Sequence, residues 1–179
     1  MAFNFANLDA VTRRYKVEEI DYDLSRPTGL YLSNRLTEKG REIWPTLLKQ
    51  AAQEHDEVWL ADQIKSLQLL ILTEMRKLKN KTISVDVRHD ANELLAEGEF
   101  NRFYIRAVCR RAIIEKLGLE IYRAKAVANP RSDSQAKIGQ SINPEDLLND
   151  LRINTGVDTA LGLPPGPGSG LSIRFGVVT

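Results

Sequence analysis

The chain of 179 residues contains 25 Lys and Arg, 24 Asp and Glu and 42% hydrophobic residues, with a formal net charge of +1. Disordered chains combine few apolar groups with a large charge imbalance, so this composition indicates a folded chain with enough aliphatic material for a core. The near-zero net charge also argues against a dedicated nucleic-acid-binding protein, since non-specific binding grows with clustered Lys and Arg.

The sequence has no segment with the character of a membrane span or a targeting signal. The longest aliphatic run, residues 69–72, is far shorter than the roughly 20 apolar residues that a membrane crossing requires. The first nine residues contain neither a basic region nor a long apolar run, so we expect no signal peptide and no anchor. The single cysteine, Cys109, has no partner for an internal disulfide and fits a reducing compartment.

Residues 1–80 are predicted to form a helical region. Apolar residues recur there at three-to-four spacing, and polar residues that can accept backbone amides precede each segment, which is typical of capped amphipathic helices. Pro45 lacks an amide donor, so we expect the second helix to kink or restart there. The predicted helices run from Asn7 or Asp9 to Asp23, from Thr37 onward, and from His55 as far as Leu78.

The middle of the chain changes character. Residues 82–87 alternate between polar and apolar side chains with period two, which indicates a half-buried strand. Asp90 and Glu93 have the spacing of a capping box before a long helix that extends to about Lys116. A second strand at residues 119–124 then permits a small βαβ-like unit, although two strands alone are marginal and need covering helices or a partner.

A further short helix is predicted to begin at Asn143, where a capping residue precedes a proline and two acids. This helix is expected to end at Leu151 or Ile153. The whole strand-helix-strand-helix region, residues 81–153, is expected to pack with the N-terminal helices as one domain.

The last part of the chain, residues 154–179, is predicted to be an extended arm. Six of the eleven glycines and three of the seven prolines lie in residues 155–179, a composition that excludes helix and disfavours a central strand. Alternating hydrophobicity resumes at residues 171–178, so the arm should end in a strand that pairs with a sheet edge of its own chain or of a neighbour. The expected fold is therefore α+β and mainly helical.

Basic residues are concentrated in residues 99–125, which hold 7 basic and 3 acidic residues, a local net charge of +4. Positions 99, 102, 106 and 110 are spaced by three, four and four, so they form one polar stripe along the long helix. Such a stripe is compatible with a solvated face, with carboxylate pairing between subunits, or with phosphate contact. The candidate interface residues are Glu99, Arg102, Arg106, Arg110, Arg111, Arg123, Pro164, Pro165, Gly166, Leu171, Ile173 and Phe175.

The sequence contains no pattern that points to catalysis or to a cofactor. His55 and His89 lack a second His or a Cys at metal-ligand spacing. Cys109 has no neighbouring histidine and lies among apolar residues, which favours a small buried side chain over a nucleophile. The glycines of residues 166–170 follow prolines and precede a strand, whereas a phosphate loop precedes a helix. We therefore expect no enzyme activity, no metal and no cofactor.

Several segments resemble uncharacterised proteins of tailed bacteriophages and prophages. They are EGEFNRFYIRA at 97–107, IYRAK at 121–125, NPR at 129–131 and LGLPPGPGSGL at 161–171. The resemblance covers most of the chain and supplies no catalytic residues. It implies a structural part of the virion that is assembled in the cytoplasm of the host bacterium.

A helical body with an arginine stripe and an extended arm has the features expected of a subunit that is repeated in a symmetric assembly, since symmetry multiplies every contact. We therefore expect a head-associated subunit, by preference a ring-forming head-to-tail adaptor and alternatively a capsid cement protein. The expected partners are copies of the chain itself and the portal, tail or major capsid protein. A small DNA-associated regulator is a competing class, with nucleic acid as a secondary partner. Its phosphate contacts would be made by Arg102, Arg106, Arg110 and Arg111.

Overall fold

The structure, a computed structural model, describes residues 2–79, 81–156 and 168–176. These residues form six helices and two antiparallel sheets, so the expected α+β, mainly helical fold is confirmed. In chain order the elements are α1 (Ala10–Ser25), α2 (Glu38–Glu54), α3 (Glu57–Ser66), β1 (Thr73–Leu78), β2 (Lys81–Asp86), α4 (Ala91–Glu115), β3 (Leu119–Arg123), α5 (Ser132–Lys137), β4 (Ser141–Ile142), α6 (Pro144–Ile153) and β5 (Leu171–Phe175).

Four helices begin where the sequence predicts, because a short polar side chain at each start accepts backbone amides of the first turn. The capping residues are Asp9 for α1, Thr37 for α2, Asp56 for α3 and Asn143 for α6. α2 continues through Pro45 as one helix, so no restart occurs there. The capping box predicted before α4 is wrong, because the Asp90 carboxylate pairs with Arg88 and makes no cap hydrogen bond.

The third helix is shorter than predicted and is followed by a β-hairpin. Just past the end of α3, Gln68 has a φ of 55°, which turns the chain. Leu69 is thereby fully buried, and its carbonyl oxygen accepts the Thr37 amide at 2.8 Å. The next segment, Thr73–Leu78, pairs antiparallel with β2 instead of continuing the helix. The predicted extension of the helix to Leu78 is therefore wrong.

The strands on either side of α4 belong to different sheets, so the predicted βαβ unit is also wrong. β2 pairs with β1, whereas β3 lies at the centre of a three-stranded antiparallel sheet in the order β4-β3-β5. The register of the last pair places Leu119 opposite Phe175 and Arg123 opposite Leu171. The C-terminal strand therefore completes a sheet of its own chain.

α4 is the central element, and its apolar residues divide between two clusters. The first cluster, formed with α1, α2 and α3, contains Trp44 and Phe100. The second cluster, formed with the three-stranded sheet and α6, contains Leu151 and Ile173. Phe5 packs against both clusters. The N-terminal helices and the strand-containing half thus share a continuous interior around α4.

Candidate functional site

The polar stripe of α4 is buried within the chain. Glu99, Arg102 and Arg106 are 5%, 4% and 0% exposed. Arg106 donates from Nε to Glu19 Oε2 at 2.9 Å, and from Nη1 and Nη2 to the two carboxylate oxygens of Asp23 at 2.8 Å each. Both acids lie on α1, so the stripe joins α4 to α1 in the same chain. The expectation that Arg106 contacts another subunit or phosphate is therefore wrong, because its guanidinium is fully buried and paired with acids of its own chain. Glu99 and Arg102 are also withdrawn from the surface, so the stripe does not form an exposed contact face.

Glu19 is an acid shared by three arginines. Besides Arg106, it accepts Arg152 Nη2 at 2.6 Å and Arg152 Nε at 3.0 Å, and Arg110 Nη1 lies 3.4 Å from its Oε1. Burial by itself raises the pKa of Glu19, but the hydrogen bonds and charges of Arg152 and Arg106 outweigh burial and hold the pKa below its ordinary value. The Glu19 carboxylate thus links α1 to both α4 and α6.

Arg110 and Arg111 lie at the edge of the body and also have partners within the chain. Arg110 Nη2 is 2.8 Å from Glu18 Oε2, and Arg111 Nη1 is 2.7 Å from Asp9 Oδ2. Their side chains are 25% and 11% exposed. They are the two arginines of α4 that solvent still reaches, although each is already paired with an acid of α1 or its cap.

The C-terminal strand is part of the core. Leu171 and Ile173 are fully buried, and Phe175 is half-buried. Two side chains of α4 hold the strand, since Asn101 Nδ2 donates to the Leu171 carbonyl at 2.9 Å and the Tyr104 hydroxyl donates to the Ile173 carbonyl at 3.2 Å. The C-terminal strand therefore pairs with its own chain and not with a neighbouring one. It is not a free arm.

The rest of the predicted arm is only partly described. Arg123 Nη1 donates to the carbonyl oxygen of Ser169 at 2.7 Å, which fixes the segment just before β5. The remaining predicted interface residues, Pro164, Pro165 and Gly166, lie outside the described residues.

The β1–β2 hairpin is a feature that the sequence analysis missed. Its two six-residue strands pair with each other over their full length. Among the described ranges, no further strand joins either of its outer edges. Leu72, at the base of the hairpin, and Met75 are 85% and 69% exposed. A signal was present, because a period-two strand at residues 82–87 requires a pairing partner nearby.

The hairpin is also basic. Its strands and turn contain Arg76, Lys77, Lys79 and Lys81 against Glu74 and Asp86, a net charge of +2. At the base, Arg35 donates to the Glu74 carboxylate from Nε at 2.7 Å and from Nη2 at 2.9 Å. This bidentate pair holds the pKa of Glu74 below its ordinary value. The pair anchors the hairpin to the loop before α2 and leaves its outer part free to make contacts.

A cleft of about 580 Å³ lies beside α4. The α4 residues that line it are Ala91, Leu94, Leu95, Glu97, Gly98, Glu99, Asn101 and Arg102. Tyr31, Ser33 and Arg35 line it from the loop before α2, and Gly168, Ser169 and Gly170 line it from the segment before β5. Sequence reasoning placed Glu99 and Arg102 in a contact stripe, but did not bring these three segments together.

Over residues 2–79, 81–156 and 168–176, no three His, Cys, Asp or Glu side chains are grouped to hold a metal ion. Cys109 is fully buried, as predicted, and burial raises the pKa of its thiol. Among the helices described, none combines the length and apolar character needed to cross a membrane.

No protein-family model matches the chain, and neither do any of the curated proteins or solved structures with which it was compared.

Proposed function

We propose that the chain is a structural subunit of a tailed-phage virion, a head-associated, ring-forming head-to-tail adaptor that contacts copies of itself through the β1–β2 hairpin. The observation that carries the proposal is the uncovered hairpin with its exposed apolar side chains. The segments that resemble tailed-phage proteins support the virion as the location, after assembly in the host cytoplasm. Portal, tail or major capsid protein would be the neighbouring partners, and a capsid cement protein is the alternative within this class.

The hairpin has the properties of a contact element. A two-stranded hairpin alone is marginally stable in water, and open strand edges readily pair with another chain. Leu72 and Met75, at 85% and 69% exposed, add apolar surface that a partner would cover. When the hairpin of one copy seats on a different surface of the next copy, the contact is heterologous and generates a ring if the rotation closes.

The body supports this role because the buried Arg106 finds its acidic partners within the same chain. Arg106 and Arg152 both bind Glu19, and Arg106 also binds Asp23. A buried charge without a partner is strongly destabilising, whereas these charges are paired within one chain. The body is therefore expected to fold before assembly, which leaves the hairpin as the element that recruits the next copy.

Sedimentation velocity and native mass spectrometry over a wide concentration range test self-association. We expect the chain to form a closed oligomer, and we expect Leu72→Glu combined with Met75→Glu to give a folded monomer. The matched control is Ile114→Glu combined with Ile153→Glu, because these side chains are 60% and 74% exposed on helices away from the hairpin. A chain that stays monomeric at every concentration, or a control that dissociates equally, contradicts the proposal.

Copy number in purified particles separates the adaptor from the cement protein. Quantitative mass spectrometry should find on the order of ten copies per particle for a ring, and hundreds for a protein that decorates the shell. If the chain is absent from particles, both virion roles are wrong.

A DNA-associated role is the second candidate, and the basic hairpin is the observation that favours it. A two-stranded β-ribbon fits the major groove of DNA, and Lys77 and Lys81 are exposed on this one. A monomer that binds duplex DNA with steep salt dependence, and loses binding with Lys77→Glu and Lys81→Glu, would favour this role over the adaptor. The buried arginines of α4 take no part in it.

A further inference from the structure

The cleft beside α4 has the properties of a ligand site, and the proposed assembly does not use it. We propose that it binds a small molecule in which a protonated primary amine is carried on an apolar body, with the amine on Glu99 and the body against Gly98. The cleft volume of about 580 Å³ falls within the roughly 300–1,000 Å³ of typical small-molecule sites.

Gly98 leaves open space on the face of α4 that lines the cleft. It lies in the middle of a 25-residue helix, where glycine is less favourable than almost every other residue. A Cβ at this position would meet no atom within 4 Å, and the backbone φ is not positive. Neither close packing nor backbone conformation requires glycine here. A ligand that lies against the helix backbone would explain why glycine stands at position 98.

Glu99 provides an acceptor that the fold leaves unused. It is 5% exposed, its Oε1 lies 3.6 Å from Arg102 Nε, and its Oε2 has no hydrogen-bond partner within the described ranges. A buried acceptor without a donor destabilises the fold. The terminal torsion of a glutamate is broad, so Oε2 turns toward the cleft at little cost.

A cation is the donor that Glu99 favours. Burial raises the pKa of the Glu99 carboxyl, although the charges of Arg102 and Arg106 act in the opposite direction. An ammonium group placed against the carboxylate would stabilise its charged form and offer up to three N–H donors. An anionic ligand would instead be repelled by that carboxylate.

The other charged groups that line the cleft already have partners. Glu97 forms an ion pair with Lys125, and Arg35 forms a bidentate pair with an acid of β1. Arg102 Nη1 donates to the Asn154 carbonyl at 2.7 Å. The remaining lining is largely apolar, with three leucines and the ring of Tyr31, which packs directly on the backbone of Gly156. The lining therefore combines apolar surface with the incompletely bonded carboxylate of Glu99, which fits an apolar amine.

Phenethylamine is a suitable probe, and 3-phenylpropionate is its anionic counterpart of similar size. Two-dimensional ¹H–¹⁵N NMR of the full chain at neutral pH reports binding at each amide. We expect saturable shifts centred on Gly98, Glu99 and Gly168 with phenethylamine, and at least tenfold weaker binding of 3-phenylpropionate. The proposal is overturned if phenethylamine gives no saturable shifts, or if the anion binds as tightly.

Variants of the two key residues locate the site. Glu99→Gln keeps the shape and removes the charge, so we expect at least a tenfold loss of affinity for phenethylamine. Gly98→Leu fills the cleft and should abolish binding. Gly118→Leu is the matched control, since a Cβ at Gly118 also meets no atom within 4 Å and Gly118 does not line the cleft.

Gly118→Leu is expected to bind like the unaltered chain. If Gly98→Leu binds as well as this control, the cleft is not the site. Far-UV circular dichroism establishes that each variant is folded, and if Gly98→Leu does not fold, Gly98→Ala replaces it. That variant adds one methyl group on the same face and should still reduce affinity, whereas unchanged affinity would overturn the proposal.

Discussion

The ammonium nitrogen of Lys16 lies 2.8 Å from the centroid of the Phe100 ring, and both side chains are fully buried. The nitrogen has no hydrogen-bond partner among the described residues, so the aromatic face is its compensating contact. Burial and the charge of Arg13 lower the pKa of Lys16 well below its ordinary value of 10.5, although Glu57 and Asp56 act in the opposite direction. A lysine thus occupies a core position that an apolar side chain would fill.

Lys16→Met is expected to raise the free energy of unfolding at neutral pH by about 1–3 kcal/mol, because it removes a buried polar group without a hydrogen bond. The folded chain releases the Lys16 proton at lower pH than the unfolded chain does, so the stability of the unaltered chain rises as pH increases toward 10.5. The difference in free energy of unfolding between Lys16→Met and the unaltered chain should therefore shrink over that range. Urea titrations at several pH values measure this difference.

Lys39→Met is the control for this test, since Lys39 is exposed on α2 and should change stability little. A Lys16→Met variant that is less stable than the unaltered chain at neutral pH would contradict the expectation.

Arg106→Leu is expected to lower the free energy of unfolding by about 3–5 kcal/mol, because Glu19 and Asp23 lose a buried cation. Adding Asp23→Asn should recover part of the loss, since one uncompensated charge is then removed. The control is Arg14→Leu, whose side chain is 64% exposed in an ion pair of α1 and should change stability by less than about 1 kcal/mol. Chemical denaturation measures all three, and equal losses at Arg106 and Arg14 would contradict the internal role.

Ile173→Ala is expected to destabilise the fold by about 2–5 kcal/mol, as for other fully buried aliphatic residues. A chain that ends at residue 170 should not fold, because β3 loses a neighbour and the Asn101 side chain loses its carbonyl acceptor. Thermal melts measure both, with Arg174→Ala as the exposed control on the same strand. A truncated chain with an unchanged melting temperature would show that β5 is dispensable.

Gly98→Ala is expected to stabilise the chain by about 0.5–1 kcal/mol, because alanine favours helix and its methyl group meets open space. Gly40→Ala in α2 is the opposite case, since a Cβ there would lie 2.5 Å from the Leu69 carbonyl oxygen. That variant should be destabilised. The melting temperature of each variant is compared with that of the unaltered chain. Changes of the same sign in both variants would contradict the packing described around α2 and α4.

Local chemistry accounts for the parts of the fold that the sequence predicted. Asp9, Thr37 and Asp56 cap helices through hydrogen bonds to amides three residues ahead, so nearby residues suffice to identify them. The hairpin was missed because β1 carries Arg76 and Lys77, and basic residues there also suit the end of a helix.

Long-range partners could not be predicted in the same way. Arg106 pairs with acids 83 and 87 residues away, and its spacing along α4 carries no information about them. A partial signal existed on α1, where Glu19 and Asp23 lie four residues apart and flank the apolar Ile20 on one face. The cleft also had a local signal in Gly98, an unexplained glycine in the middle of a helix. Neither signal specified which segment would lie opposite.

The position of β5 in its sheet also sets the order in which the molecule can fold during synthesis. Residues 171–175 pair with β3, and the Phe175 amide donates to Asn7 Oδ1 across 168 residues of chain. While a ribosome still holds this strand, β3 has one unpaired edge, and the second apolar cluster lacks Leu171 and Ile173. The helical half around α1 to α3 can collapse first, but the hydrogen bonds between β3 and β5 form only after β5 has emerged.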